Sequence, residues 1–263
     1  MDKLKNLYKE NYSFGYMNSP ISTESVIEAA PPVQPKKRII IGVPGSSFTN
    51  NFLIAWTRAL YALWESSKYE VIVAPGVSSF VTFARMKTLG VDVLRGKDQK
   101  PFNDMAFDVY ITLDSDIVFS PEQLIELIDN LTIHPVVAGY YMMSDCKSLA
   151  IVKDWNTEFF AKTGSFEFLT PEYVATWKKE TGSKFMPVSY VGMGFFAVTK
   201  EALNTLKYPF FNSELQRITK EDGTELVDIC SEDVSFCKNL QAAGYTVYVN
   251  TELRVGHEKQ III

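Results

Sequence analysis

Residues that form disulfides are scarce in this sequence. It contains three cysteines in 263 residues, and no two of them show the C-x-x-C spacing. An odd number of isolated cysteines indicates buried thiols in a reducing compartment rather than a disulfide framework. The three positions are Cys146, Cys230 and Cys237.

Long apolar runs are missing as well. No uninterrupted apolar segment reaches the ~20 residues that cross a bilayer. Residues 1–6 are charged and polar with no apolar stretch behind them, which is unlike a signal peptide. We therefore expect a soluble, cytoplasmic protein. The formal net charge of -5 provides no general attraction to nucleic acid or to anionic lipid.

Glycine-rich loops that bind phosphate are also absent. Residues 42–46 follow an apolar run, but they match neither G-x-G-x-x-G nor G-x-x-x-x-G-K-S/T. The sequence therefore supports neither a Rossmann dinucleotide site nor a P-loop.

The apolar residues that are present suffice for one sizeable core, at 46% of the chain. Apolar runs typical of buried strands alternate with amphipathic helical segments as far as residue 142, which predicts βαβ units and a mostly parallel sheet. A capping box at Ser120 and Gln123 predicts the start of one of these helices. Beyond residue 142 we expect helices from 170 and from 231, and strands at 190–198 and 245–249.

Two stretches lack this regular pattern. Residues 1–37 mix aromatic residues with Ser, Asn and Pro, and they are predicted to be a flexible arm that ends in a proline-stiffened linker. The folded domain is then expected to span residues 38–263. Within it, residues 207–229 are predicted to form a loop that acts as a flexible lid.

Two carboxylates, Asp114 and Asp116, follow the apolar run at 111–113. On a strand they would project to the same side, and hard divalent cations take oxygen ligands. In open α/β sheets, ligands bind beyond the carboxyl ends of the strands, which is where this D-x-D motif is expected. A strand end with solvated acids is the alternative.

Three further motifs are candidates for chemistry. Glu232 and Asp233 follow Ser231 at a predicted helix start, where acids complement the helix dipole, and where Asp233 could instead accept a proton from a hydroxyl. His257 is either a structural residue or a nitrogen ligand to a metal such as Mn²⁺. Gly192 and Gly194 either allow close approach of the backbone to a ligand or form a β-bulge.

Taken in order, these motifs resemble those of GT-A glycosyltransferases, most closely the family-2-like branch. The matching residues are Val43-Pro44, Leu113-Asp114-Ser115-Asp116, Gly192-Met193-Gly194-Phe195, Glu232-Asp233-Val234-Ser235-Phe236 and Val255-Gly256-His257. The resemblance covers about residues 38–258 and leaves the arm and the stretch at 207–229 uncovered. It implies a GT-A α/β fold, with a Rossmann-like, mostly parallel central sheet flanked by helices and a smaller antiparallel region on the acceptor side.

The resemblance also implies a donor and a metal. The donor would be a nucleotide-diphosphate sugar, UDP- or GDP-linked, whose diphosphate is bridged by Mn²⁺ or Mg²⁺. Asp116 would bind the metal directly, Asp114 would contact the metal or the ribose, and His257 would complete the metal site.

The remaining roles implied by the resemblance concern the donor and the reaction. Val43 and Pro44 would line the base pocket, and Arg85 would lie near the donor. The segment Gly192-Met193-Gly194 would face the donor sugar and the acceptor. Asp233 would be the base of an inverting displacement, with Glu232 the second candidate, and a retaining reaction remains open.

Other functions compete with this interpretation. A phosphatase of the haloacid dehalogenase type is one, because Asp114-Ser115-Asp116-Ile117-Val118 approximates its D-x-D-x-[TV] signature. A non-catalytic protein that binds sugar nucleotides is another. For a transferase, a glycan is the expected acceptor, and a protein or a hydroxymethylated DNA base remains open, as does the oligomeric state.

Overall fold

The computed structural model describes residues 35–220 and 222–259. The arm predicted at 1–37 falls outside these residues except for its last three positions. The helices in these ranges are α1 (Asn50–Glu65), α2 (Val81–Thr88), α3 (Pro121–Asn130), α4 (Thr157–Thr163), α5 (Pro171–Thr181), α6 (Lys200–Leu203) and α7 (Glu232–Ala242). None of them has the length and apolar character of a membrane span.

The strands of the described residues form one large sheet and three small ones. Those of the large sheet are β1 (Lys37–Pro44), β2 (Tyr69–Gly76), β3 (Val109–Leu113), β5 (Val136–Tyr140), β7 (Phe185–Val188), β9 (Phe195–Thr199) and β12 (Val247–Arg254). The short pairs are β4 (Ile117–Val118) with β13 (Gly256–His257), β6 (Ile151–Val152) with β8 (Tyr190–Val191), and β10 (Leu215–Thr219) with β11 (Glu225–Ile229).

The large sheet has the order β2-β1-β3-β9-β5-β12-β7. Five of its strands run in one direction, while β9, between β3 and β5, and β7, at the edge, run in the other. The predicted α/β class with a mostly parallel central sheet flanked by helices is therefore confirmed.

Helices cover both faces of this sheet. On one face, α1 and α3 bury apolar side chains such as Phe52 and Leu127 against Ile39, Ile41 and Ile111. On the other face, α5, α6 and α7 pack onto a second apolar cluster that includes Ile40 and Tyr110. Because alternate residues of β1 enter opposite clusters, its sequence is apolar throughout instead of alternating.

Local signals set several of the helix starts. The predicted capping box forms at α3, where the side chains of Ser120 and Gln123 each accept a hydrogen bond from the other residue's backbone N–H. Thr49, Thr170 and Thr199 cap α1, α5 and α6 through their side-chain oxygens. Such caps satisfy N–H groups that have no partner inside the helix.

The predicted loop at 207–229 is wrong for most of its length, because β10 and β11 form an antiparallel hairpin there. Leu215, Val227 and Ile229 on this hairpin remain exposed, so its sequence lacks the strict apolar alternation of a strand with one buried face. The sequence signal that predicts this hairpin is the Asp222-Gly223 dipeptide in its turn, where Gly223 has a φ of 84°.

Two smaller expectations also differ from the structure. Residues 114–116 form a turn between β3 and β4 rather than a strand end, so strand alternation does not fix the directions of Asp114 and Asp116. Cys230 and Cys237 are buried free thiols as expected, but Cys146 is exposed.

Candidate functional site

A cleft of about 930 Å³ opens at the carboxyl ends of β1 and β3. Pro44, Asp114 and Asp116 line it, together with Tyr141 and the segment 257–259. Its volume lies within the range of small-molecule sites, and its position is where open α/β sheets bind ligands. The D-x-D motif therefore lies in a cleft of the kind that the sequence predicted.

Asp116 and His257 meet in this cleft. Pairing of β13 with β4 places His257 opposite Ile117, and its Nε2 atom lies 3.3 Å from Oδ2 of Asp116. The other ring nitrogen, Nδ1, lies 2.8 Å from the carbonyl oxygen of Met142. Because a carbonyl only accepts, Nδ1 carries a proton, and in the neutral ring the lone pair of Nε2 points toward Asp116.

This arrangement fits a divalent cation. Two ligand atoms at right angles on a metal, each about 2.1 Å from it, are about 3 Å apart, which is close to the 3.3 Å separation here. The contact of Nδ1 with a carbonyl is the support that metal-binding histidines usually have. Tyr141 packs edge-on against the imidazole, with ring centroids 4.7 Å apart, and so restricts its rotation.

The protein supplies only part of a coordination sphere. Among residues 35–220 and 222–259, no group of three or more His, Cys, Asp or Glu side chains is arranged to hold a metal. Mg²⁺ is commonly bound through one or two protein ligands together with substrate phosphates and water. The donor set of Asp116 and His257 suits a metal that arrives with a phosphorylated substrate.

Lys259 contributes a positive charge to the same site, and the sequence analysis did not identify it. Its Nζ lies 2.6 Å from Oδ2 of Asp116. Burial raises the pKa of Asp116, but hydrogen bonds from Lys259 and from a protonated His257 outweigh burial and lower that pKa to about 2. Lys259 could have been identified from its spacing: it lies two residues after His257, and alternate residues of an extended segment project to the same side.

Arg85, which the resemblance implied would lie near the donor, is buried and is not among the residues that line the cleft. It is 4% exposed, and its guanidinium contacts three partners: Thr112 Oγ1 at 2.9 Å, Asp114 Oδ1 at 3.0 Å and Glu232 Oε1 at 3.1 Å. Burial lowers the pKa of Arg85, and the charges of Asp114, Glu232 and Asp233 more than reverse that effect. Arg85 therefore joins the D-x-D turn to the start of α7 through a buried ion pair.

This contact distinguishes the two acids of the D-x-D. Both carboxylate oxygens of Asp114 lie near the guanidinium of Arg85, whereas Asp116 contacts His257 and Lys259. The predicted metal ligands are thus divided: the structure brings Asp116 and His257 together and directs Asp114 to Arg85. The side chain of Asp114 is 29% exposed, so one edge of it still lines the cleft.

The two acids at the start of α7 also differ in their surroundings. Glu232 is buried beside Arg85, and its pKa is raised by burial and by Asp233, with Arg85 opposing both. Asp233 is half-buried; its Oδ2 accepts a hydrogen bond from the Tyr190 hydroxyl at 2.8 Å, and its Oδ1 accepts from the Ser231 hydroxyl and the Val234 N–H. Asp233 is therefore the acid of this pair that solvent reaches.

The two glycines at 192 and 194 make room for Tyr141. A Cβ atom on Gly192 would overlap the Tyr141 hydroxyl, and one on Gly194 would lie 3.0 Å from the same ring. The N–H of Gly194 donates to the Tyr141 hydroxyl at 3.1 Å, and its carbonyl accepts from the N–H of Asp114 at 3.0 Å. The predicted close approach exists, but it is to a side chain of the protein.

The remaining predicted site residues are largely buried. Met193 is 1% exposed within the core, and Val43 packs in the core on the α1 side. Only Pro44 of the Val43-Pro44 pair lines the cleft; Val43 lines a separate apolar cavity of about 280 Å³. The second histidine, His134, stacks on Tyr248 with ring centroids 3.8 Å apart and does not line the cleft.

The chain resembles known proteins in structure but not detectably in sequence. No protein-family model and no curated protein matches the chain. Among solved structures, A197 from STIV shows 15% identity, with 86% of this chain and 96% of that chain covered and a TM-score of 0.42. GalNAc-T7 with UDP, GalNAc and Mn²⁺ shows 12% identity over 86% of this chain and 43% of that one, with a TM-score of 0.44. Glucosyl-3-phosphoglycerate synthase from Mycobacterium tuberculosis, in complex with Mn²⁺ and UDP-glucose, shows 11% identity over 86% and 73%, with a TM-score of 0.38.

Proposed function

We propose that this chain is a metal-dependent glycosyltransferase of the GT-A type. It would transfer a sugar from a UDP- or GDP-linked donor to an acceptor hydroxyl. The observation that carries the proposal is the convergence of Asp116 Oδ2 and His257 Nε2, 3.3 Å apart, in the cleft at the carboxyl end of β3. Two metal ligands at a sheet edge suit a substrate whose own phosphates complete the coordination.

Asp116 and His257 would hold Mn²⁺ or Mg²⁺ against the donor diphosphate. When bound, the metal supplies stabilisation of the negative charge that develops on the departing nucleotide diphosphate. The carbonyl of Met142 orients the imidazole so that Nε2 faces Asp116 and would be available to the metal. Lys259, whose Nζ lies beside Asp116, would add a positive charge for the donor phosphates.

Arg85 would act on the donor through other residues. It holds Asp114 at the cleft and Glu232 at the start of α7, so one cation fixes the relative positions of the D-x-D turn and that helix. Asp114, with its exposed edge in the cleft, would contact the ribose. Pro44 would pack against the nucleotide base.

Asp233 would be the base of an inverting displacement. Its carboxylate is partly accessible, whereas that of Glu232 is buried in an ion pair with Arg85 and so is poorly placed to take a proton. Tyr190 and Ser231 donate to it and hold its orientation, which leaves lone-pair capacity for the acceptor hydroxyl.

The phosphatase alternative fits these contacts less well. It needs Asp114 as a free nucleophile, but both oxygens of that carboxylate lie beside the buried guanidinium of Arg85. It also needs the D-x-D strand to open the core fold, whereas β1, α1, β2 and α2 precede β3.

The test is a panel of UDP- and GDP-sugars with Mn²⁺, measured by calorimetric binding and by release of the nucleotide diphosphate. We expect at least one sugar nucleotide to bind and to be hydrolysed slowly without an acceptor. A parallel assay with p-nitrophenyl phosphate examines the phosphatase. The absence of any sugar-nucleotide response, or phosphate-ester hydrolysis alone, would overturn the proposal.

A further inference from the structure

A groove separate from the donor cleft runs around α4 and the β10–β11 hairpin. It consists of three adjoining cavities of about 730, 300 and 720 Å³, and Thr157 lines all three. The first shares Trp155 and Asn156 with the second, and the second shares Ile218 with the third. We call this continuous surface the α4 groove; its length suits an extended ligand better than a single small molecule.

Aromatic rings form part of its floor. Trp155 is partly buried between the first two cavities and packs on Phe166 with ring centroids 5.3 Å apart. Tyr173, which is 43% exposed, lines the first cavity together with Phe168. Rings held by packing present flat apolar faces at little cost in conformational entropy.

Among the residues that the structure describes, the charges of the groove cancel. Five acidic and five basic side chains of this part of the chain line the three cavities: Asp154, Glu158, Glu167, Glu214 and Asp222 against Lys153, Lys162, Arg217, Lys220 and Lys238. A surface with no excess of either sign offers no electrostatic attraction to a polyanion. It does offer exposed donors and acceptors, such as the side chains of Asn156 and Thr157.

We propose that the α4 groove binds an extended, uncharged oligosaccharide, which is the acceptor of the transferase. A sugar ring presents an apolar C–H face and a rim of hydroxyls, which match aromatic rings bordered by neutral and paired polar groups. The role of this oligosaccharide as acceptor rests on the proposed function, whereas its binding to the groove does not.

The groove is connected to the candidate base. Phe168 packs edge-on against Tyr190, with ring centroids 6.4 Å apart, and the Tyr190 hydroxyl donates to Asp233 at 2.8 Å. Lys238, which lies 5.0 Å from the Trp155 ring centroid, belongs to the same helix as Asp233. A glycan in the groove would therefore contact Phe168, which packs against the tyrosine that holds the base.

The experiment titrates the full chain, without donor or metal, with neutral hexasaccharides: maltohexaose, cellohexaose, mannohexaose and chitohexaose. Binding is followed by calorimetry and by tryptophan fluorescence. We expect saturable binding of at least one, about tenfold or more tighter than the disaccharide of the same series, because a longer ligand spans more of the groove. Trp155→Ala should weaken it by about tenfold or more.

The matched control is Trp64→Ala. Trp64 is 61% exposed on α1 and lies outside the groove, so its removal should leave oligosaccharide binding unchanged. A short single-stranded oligodeoxynucleotide and a short peptide are titrated alongside. Binding of neither hexasaccharide nor disaccharide, equal binding by Trp155→Ala, or tighter binding of the nucleic acid or peptide would each overturn the inference.

Donor binding is measured separately on the unmodified protein, with UDP- and GDP-sugars and Mn²⁺ but no oligosaccharide. Donor binding without oligosaccharide binding would overturn the groove assignment and leave the transferase intact. Oligosaccharide binding without any donor response would overturn the transferase and leave a glycan-binding groove.

Discussion

Nε2 of His257 lies 3.3 Å from Oδ2 of Asp116, although the two residues are far apart in the sequence. The antiparallel pairing of β13 with β4 brings them together, and the carbonyl of Met142 fixes the imidazole. A neutral imidazole facing a carboxylate in this way places two lone pairs against each other unless a cation or a proton lies between them. The pair is therefore suited to bind a cation.

His257→Gln should weaken Mn²⁺-dependent sugar-nucleotide binding by at least about tenfold, because even the residues that orient metal ligands typically contribute this much to affinity. Calorimetry at a fixed Mn²⁺ concentration measures the change. The control is His134→Gln, the other histidine of the chain, which stacks on Tyr248 away from the cleft. Equal affinities in His257→Gln and the unmodified protein would exclude His257 from the metal site.

Arg85→Met should destabilise the fold by about 3 to 5 kcal/mol, since it leaves the carboxylates of Asp114 and Glu232 without their buried counter-ion. The free energy of unfolding is measured in urea. Arg58→Met on the exposed face of α1 is the control and should change it by less than about 0.5 kcal/mol. Adding Glu232→Gln to Arg85→Met should recover part of the loss, and no recovery would argue against the ion pair as its cause.

The pH dependence of stability should reveal Tyr110. Burial raises the pKa of this hydroxyl to about 12, with the positive charge of Arg85 opposing it. Because the folded value exceeds the unfolded value of about 10, its contribution is complete below pH 10 and disappears as the pH rises toward 12. Urea unfolding at pH 9 and pH 11 measures this loss.

Tyr110→Phe serves as the comparison for that titration. Thr88 Oγ1 donates to the carbonyl of Arg85 at 2.6 Å, so it is the Tyr110 hydroxyl that donates to Thr88. The substitution should cost about 1 kcal/mol at neutral pH, the typical value of such a bond. It should also reduce the loss of unfolding free energy between pH 9 and pH 11. An unchanged loss would mean that groups other than Tyr110 cause it.

Asp233→Asn should lower sugar transfer by about 100-fold or more while leaving the dissociation constant for the donor unchanged, because a general base acts after binding. Initial rates with a bound oligosaccharide acceptor and donor titrations separate the two effects. Asp98→Asn, at an exposed loop position, is the matched control. Full transfer by Asp233→Asn, with activity abolished by Asp116→Ala, would rule out the base assignment.

The parts of the fold that were predictable from the sequence are those set by local patterns. The continuous apolar runs of β1 and β3 and the capping box at α3 depend on neighbouring residues, and the structure contains all of them. The D-x-D was expected beyond a strand of a parallel sheet, and it lies there.

The parts that were not predictable depend on distant contacts. Nothing around Arg85 in the sequence indicates that its partners are Asp114 and Glu232, one of them 147 positions away. The glycines at 192 and 194 were predicted to let the backbone approach a ligand, but in the structure they make room for Tyr141, which follows β5. The hairpin β10–β11 was missed because its two faces do not differ enough in hydrophobicity to produce a period of two.

The most direct test of the account compares the unmodified protein with Asp116→Asn, in calorimetric titrations of UDP- and GDP-sugars with Mn²⁺ and with EDTA. This substitution removes the carboxylate charge from the metal position and keeps its shape. We predict that at least one sugar nucleotide binds the unmodified protein with Mn²⁺ and that EDTA abolishes this binding. Asp116→Asn should lower the affinity for that sugar nucleotide by at least about tenfold. Sugar-nucleotide binding that is equally tight with EDTA, or unchanged in Asp116→Asn, would contradict the account.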